Sequence, residues 1–101
     1  MTARVEVRDG ILHLSGAIDA AGAESCEAAG RRLIDGLAGS GPLDCDLSAL
    51  TSGSSLTAAV LMSWHRAAAR RGRALRLQAL PARLRAILVA GNLLPVFTDQ
   101  P

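Results

Sequence analysis

The sequence predicts an α/β fold: a single layer built on a mixed sheet of four to five strands, with helices mainly on one face. Three observations carry that expectation. Two alternating segments flank Asp9-Gly10, which predicts an antiparallel first hairpin, because both central residues of such a two-residue turn need positive φ. From Leu43 onward, strand-type and helix-type segments alternate, which predicts right-handed parallel crossovers. Each strand-type segment alternates apolar and polar residues instead of being apolar throughout, so helices are expected to cover one face and water the other.

The elements follow in order. Arg4 to Arg8 places Val5 and Val7 on one side; Ile11 to Ser15 returns with Leu12 and Leu14 inward and His13 outward. Gly16 and Asp19 mark a loop. Ala21 to Leu37 reads as a helix, with Ala28, Leu33, Ile34 and Leu37 as its apolar stripe and Glu24, Glu27, Arg31 and Asp35 on the wet side. Gly36, Gly39, Gly41 and Pro42 end it. Leu43 to Leu47 is a third strand with Leu43, Cys45 and Leu47 on one face. A second helix is expected over Leu56 to Arg71, stopped by Gly72. Ala74 to Gln78 is a fourth strand. Pro81 opens a third helix at about Ala82 to Ala90, closed by Gly91-Asn92, and Leu93 to Phe97 reads as a last short strand or turn.

The 101 residues suit one domain over 1–101, and half of them are hydrophobic, so the chain is expected to fold around a modest core. With one Trp, one Phe and no Tyr, that core must come from Leu, Val, Ile and Ala. Arg4, Glu6, Arg8 and Asp9 interrupt any signal-peptide pattern, and no apolar run approaches the roughly 20 residues of a membrane span. A cytoplasmic protein is the expectation, with Cys26 and Cys45 as ordinary buried thiols.

Charge is lopsided behind a net of +2. Residues 1–50 hold four arginines against eight acids; residues 51–101 hold seven arginines against Asp99 alone. Arg66, Arg70 and Arg73 run toward the end of the second helix, where they oppose its macrodipole. Interleaved aromatics, a known binding motif and a strongly basic total are all lacking, so a solvated face or an acidic protein partner is favoured over a nucleic-acid surface.

The second helix has more apolar surface than one stripe requires. Leu56, Val60, Trp64 and Ala67 fill one stripe, with Leu61 and Ala68 at its edge, which leaves Ala58, Met62 and part of Trp64 on another face. Burial all round would absorb the excess, and so would a second interface. Full burial is hard to arrange in a one-layered domain of this size, so an interface is expected. Ser54 and Ser55 stand where this helix wants a cap, and the same corner suits a partner's polar groups. A convergent set of acid, base, nucleophile or metal ligands is not apparent: His13 and His65 find no third ligand at sensible spacing, and neither catalysis, a metal nor a cofactor is expected.

Asp46-Leu47-Ser48, six further residues and then Ser55 at a helix start resemble the loop of the STAS domain, the family of bacterial anti-sigma-factor antagonists. Leu12-His13-Leu14-Ser15-Gly16 with Ala17-Ile18-Asp19 is similar to that family's second strand. Arg71-Gly72 before Leu75, and Leu84, Ile87 and Leu88 before Asn92-Leu93-Leu94, fit its spacing. Aligned without gaps, Ser55 falls on the family's phosphorylatable Ser/Thr. Ser54 replaces its Asp and Thr57 its Gly, which weighs against regulation by a Ser/Thr kinase. The Ser-Ser-apolar loop looks more like the STAS subunit of the Mla phospholipid-transport ABC complex. That resemblance implies a non-enzymatic subunit that docks on the ATPase of the transporter and reaches the inner membrane through it. The partner-binding residues it implies, together with the spare helix face, are Ser54, Ser55, Thr57, Ala58, Met62 and Trp64. The alternative it carries is an anti-sigma-factor antagonist switched by a kinase through phosphorylation of Ser55.

Overall fold

In the computed structural model, which describes residues 2–51 and 53–98, the chain runs β1 (Arg4–Arg8), β2 (Ile11–Ser15), α1 (Ala23–Gly36), β3 (Leu43–Asp46), α2 (Ser55–Arg70), β4 (Leu75–Gln78), α3 (Ala82–Ala90) and α4 (Leu94–Thr98). The sheet order is β1-β2-β3-β4; β1 and β2 pair antiparallel, and the β2–β3 and β3–β4 pairs are parallel. Asp9 and Gly10 take φ of 53° and 77°, the two positive values that a tight hairpin with the strands' own twist demands. The fold class expected from the sequence is therefore the one observed, with four strands.

Alternation along the strands sorts the residues by face. Leu12, Leu14, Leu43, Cys45 and Leu75 are buried on the side that meets the helices, and Leu47 continues that row just past β3. The opposite face carries Glu6, His13, Asp44, Asp46, Arg76 and Gln78. There, Arg76 Nε donates to Asp44 Oδ1 at 2.9 Å, and Gln78 Nε2 donates to the same oxygen at 3.1 Å. This face is polar and largely neutralised by cross-strand pairs.

The helices depart from the expected stripes in three places. On α1 the buried residues are Cys26, Gly30 and Ile34, while Ala28 and Leu33 are only half-buried. The stripe is rotated because Gly30 receives the indole of Trp64: a Cβ at position 30 would fall on the ring atoms Cε2, Cζ2 and Nε1. On α2, Thr57, Ala58, Val60, Leu61, Trp64, Ala67 and Ala68 are all buried. This corrects the expectation that Ala58 and part of Trp64 face outward. α2 touches α1, α3 and β4, so its alanines let neighbours approach on more than one side. Finally, the last segment forms the short helix α4 rather than a strand. Phe97 is 1% exposed there and meets His65 edge to face, with ring centroids 5.9 Å apart.

Two arginines after α2 tie the layers together. The Arg71 guanidinium donates to the carbonyls of Asp35 (2.9 Å) and Leu37 (2.7 Å), and Arg73 Nε donates to that of Gly41 at 2.8 Å. Both therefore hold the turn between α1 and β3; Arg71 satisfies carbonyls that the end of α1 leaves open, and Arg73 bonds the chain just before β3.

Candidate functional site

The candidate site is built from the end of β3 upward. Asp46 closes that strand and fixes the chain beyond it. Its Oδ1 accepts from the Ser48 amide at 2.9 Å, its Oδ2 accepts from the Ser48 hydroxyl at 3.2 Å, and His13 Nδ1 lies 3.2 Å from Oδ2. The Ser48 amide and hydroxyl, with His13 adding to them, hold this carboxyl below its usual range. A turn with Leu50 N donating to Leu47 O at 3.0 Å follows, and Thr51 N donates to Gly16 O at 2.8 Å. The loop is thereby fastened to the end of β2.

Gly53 seats the other end of the loop. A Cβ there would come within 2.7 Å of Leu84 Cβ and 2.9 Å of its amide nitrogen, so only glycine lets the chain pass against the first turn of α3. Ser54 then takes extended backbone (φ −150°, ψ 172°) as the N-cap of α2. Its Oγ accepts from the Thr57 amide at 3.2 Å and lies 3.3 Å from Thr57 Oγ1. Thr57 is itself fully buried, and this hydroxyl pair is how it is satisfied.

The cap is therefore Ser54 alone. Ser55, the first helical residue, is exposed, and among the described residues its hydroxyl makes no hydrogen bond. Leu56 follows at 39% exposure. Helical spacing carries the same side of α2 through exposed Ala59, half-buried Met62 and Ser63, and exposed Arg66 and Arg70. Beside it, Ser63 Oγ donates to Glu27 Oε2 at 2.6 Å, Arg31 Nε donates to the same oxygen at 2.9 Å, and Trp64 Nε1 donates to the Glu27 carbonyl at 3.0 Å. Arg31 first, then Ser63, pull the Glu27 carboxyl below its ordinary range, so it stays ionised and paired at the edge of the exposed strip.

Of the six residues expected to share a surface, the structure thus exposes Ser55, half-buries Ser54 and Met62, and encloses Thr57, Ala58 and Trp64. Leu56 moves the other way, from the expected core stripe to the surface. Val89 on α3, at 56% exposure, could have been found, since it lies one turn after Arg85 and so on the side of the helix that its arginine keeps in water. Leu56 could also have been found: helical spacing puts it in line with Ser63, Arg66 and Arg70, the polar side of α2.

At this corner Ser55, Leu56, Arg66 and Arg70 face solvent from one side of α2. Among the described residues, no three His, Cys, Asp or Glu side chains are grouped to hold a metal. Both thiols are buried and free, and burial pushes Cys45 up to about 12. No helix among the described residues is long and apolar enough to cross a membrane.

Comparison with known proteins agrees with the layout. The family model described as "Mlab, STAS domain" matches residues 1–94. Among solved structures, the chain is similar to an anti-sigma-factor antagonist (STAS) domain protein from Planctomyces limnophilus, with a TM-score of 0.61 at 14% identity over 96% of this chain and 87% of that one. That likeness speaks to the fold alone. No curated protein matches the chain. The loop that Asp46 opens and Ser54 closes, the mixed sheet and the match over residues 1–94 together place the chain in the STAS domain family.

Proposed function

We propose that this STAS domain is a protein-binding subunit that docks, through Ser55 and the exposed side of α2, on the cytoplasmic ATPase of a Mla-type phospholipid-transport ABC complex. The observation that carries the reading is the division of labour between the two serines. A helix needs one side-chain cap, Ser54 supplies it, and Ser55 is left with an exposed hydroxyl beside an exposed leucine at the head of a shallow strip. A polar group beside an apolar knob, both on a rigid helix end, is the kind of anchor that protein interfaces use. The match to the Mlab-type family model points to the same class of partner.

The test compares Ser55→Ala with Ser55→Arg in capture experiments from the native host. Ala removes one hydroxyl and is expected to leave the fold and most binding in place. Arg projects a long charged side chain from the contact and is expected to abolish recovery of an ABC ATPase with its permease, while thermal unfolding stays near wild type. Unchanged recovery with Arg would sink the docking site.

The exposure of Ser55 also favours a second reading, phosphorylation by an anti-sigma-type kinase. Intact-mass measurement after incubation with the host's kinase and ATP separates the two. A phosphate on Ser55, with a sigma-regulatory kinase as the captured partner, would replace the transporter reading.

A further inference from the structure

The seven arginines of residues 51–98 divide into two groups once the fold is known. Arg71 and Arg73 are committed to backbone carbonyls of the α1–β3 turn, and Arg76 is paired with Asp44. Arg66, Arg70, Arg83 and Arg85 are exposed and, among the described residues, form no salt bridge or hydrogen bond. Arg66 and Arg70 lie one turn apart on the exposed side of α2 that begins with Ser55, while Arg83 and Arg85 flank the buried Leu84 of α3, which packs beside α2. The sequence holds no acid between Asp46 and Asp99, and the carboxylate of α1 that feels Arg66, Glu27, is itself bonded to Arg31 and Ser63.

We infer that the surface which receives α2 is acidic: the partner protein presents a cluster of Asp or Glu carboxylates to Arg66 and Arg70, flanking an apolar contact for Leu56. This rests on the docking reading above and adds the partner's chemistry to it. Three observations select this occupant. Among the described residues a second copy of the chain offers no matching acidic patch: Glu6, Glu27, Asp44 and Asp46 are already paired, Asp19 accepts from the Gly22 amide, and Asp9, Glu24 and Asp35 stand at the hairpin tip and at opposite ends of α1. Nucleic acid would want exposed aromatic platforms, whereas Trp64 and Phe97 are buried. A membrane would want a broad apolar face, and the large exposed apolar side chains among the described residues are Leu56 and Val89, on different helices. What remains is a small apolar contact with exposed guanidinium groups beside it, and the fork of a guanidinium matches a carboxylate, the anionic group that a protein surface itself supplies.

Rim charges of this kind act chiefly on the rate of encounter and on its salt dependence. The experiment measures association and dissociation of the purified chain with the ATPase captured from the native host, over a range of salt. The variants are the doubles R66Q/R70Q and R66E/R70E, with Ser55→Arg alongside. Circular dichroism checks that each variant folds; Gln keeps helix propensity should Glu at the end of α2 prove disruptive. Expected is a fall of about tenfold or more in association rate at low salt for charge reversal, a smaller fall for Gln, a flatter salt dependence and little change in dissociation. Unchanged rates and salt dependence in both doubles, with Ser55→Arg still abolishing binding, would overturn the acidic partner and leave the docking reading standing. Unchanged binding in all three would remove both. Phosphatidylglycerol vesicles are the control surface: arginine-dependent binding there, without any arginine dependence toward the ATPase, also overturns the inference.

Discussion

Replacing Gly30 with Ala should destabilise the protein, although the same change in an ordinary helix interior helps. The helix itself would gain roughly 1 kcal/mol from the lower backbone entropy of the unfolded chain. Against this, the new Cβ would land on Trp64 Cε2, Cζ2 and Nε1, so the indole or the whole of α1 must move. Forcing extra volume into a packed core costs about 1–3 kcal/mol. Trp64 is 0% exposed, and its Nε1 donates to the Glu27 carbonyl at 3.0 Å from the residue three before Gly30, so displacement also strains that bond, worth about 1 kcal/mol. The net is a loss of about 1–3 kcal/mol, or several degrees or more in Tm for a chain of this size. Gly36→Ala is the matched control: its Cβ would meet nothing within 4 Å, so a neutral or slightly stabilising result is expected. Urea unfolding of both variants, and of Gly30→Ala with Trp64→Leu, measures the effect and its coupling. If Gly30→Ala matches or exceeds wild type, the fit between Trp64 and α1 does not set the helix spacing.

Ser54→Ala should lower stability by about 1 kcal/mol through loss of the cap, whereas Ser55→Ala should leave the denaturation midpoint almost unmoved; equal losses would mean that the cap is shared. Asp46 has a folded-state pKa below its unfolded value, mainly through the Ser48 amide and hydroxyl. Its contribution is therefore present above the unfolded carboxyl pKa and is lost as pH falls through the lower folded value. Asp46→Asn should flatten the acid limb of a stability–pH profile, and an unaltered limb would show that Ser48 does not hold the carboxylate. Cys45, pushed up to about 12 by burial, should stay protonated and unreactive toward a disulfide thiol reagent at pH 8 until the chain unfolds; prompt labelling of the folded protein would refute that burial.

The strands were legible because a period of two, bounded by Asp9-Gly10 and by Gly41-Pro42, has few other meanings. β1, β2 and α3 fall on the expected residues, and Ser54 sits where a cap was expected. What could not be read was which sides of a helix its neighbours would cover. Alanine is the reason in α2: Ala58 carries almost no orientation signal, yet it is buried with the expected Ala67 and Ala68 because small side chains admit close approach. Glycine is the reason in α1, where Gly30 counts as a gap in an apolar stripe but is a socket for Trp64. Leu93 to Phe97 stayed open between strand and turn for a different cause: five residues rich in Leu, Val and Phe are compatible with either, and the structure has a short helix there with Phe97 packed against His65.

The burial of α2 on several sides bears directly on function. Because α1, α3 and the sheet enclose most of it, the free part is one side of the helix, from Ser55 and Leu56 through Ala59 to Arg66 and Arg70, with a regular helical backbone beneath. A narrow contact on a rigid support has little capacity to repack, so a single oversized side chain at its head should act on binding far more than on folding. The same enclosure makes Trp64 the wrong residue to mutate in search of the interface. Truncating it would open the core and lose binding through unfolding, whereas Ser55 and Arg66 can be changed with the core intact. A scan along α2 should therefore split cleanly: Trp64, Leu61 and Val60 to Ala lower Tm, while Ser55 and Arg66 to large or acidic residues lower affinity at constant Tm. Loss of both properties at the same positions would mean that the exposed strip is only the outer side of a packing helix.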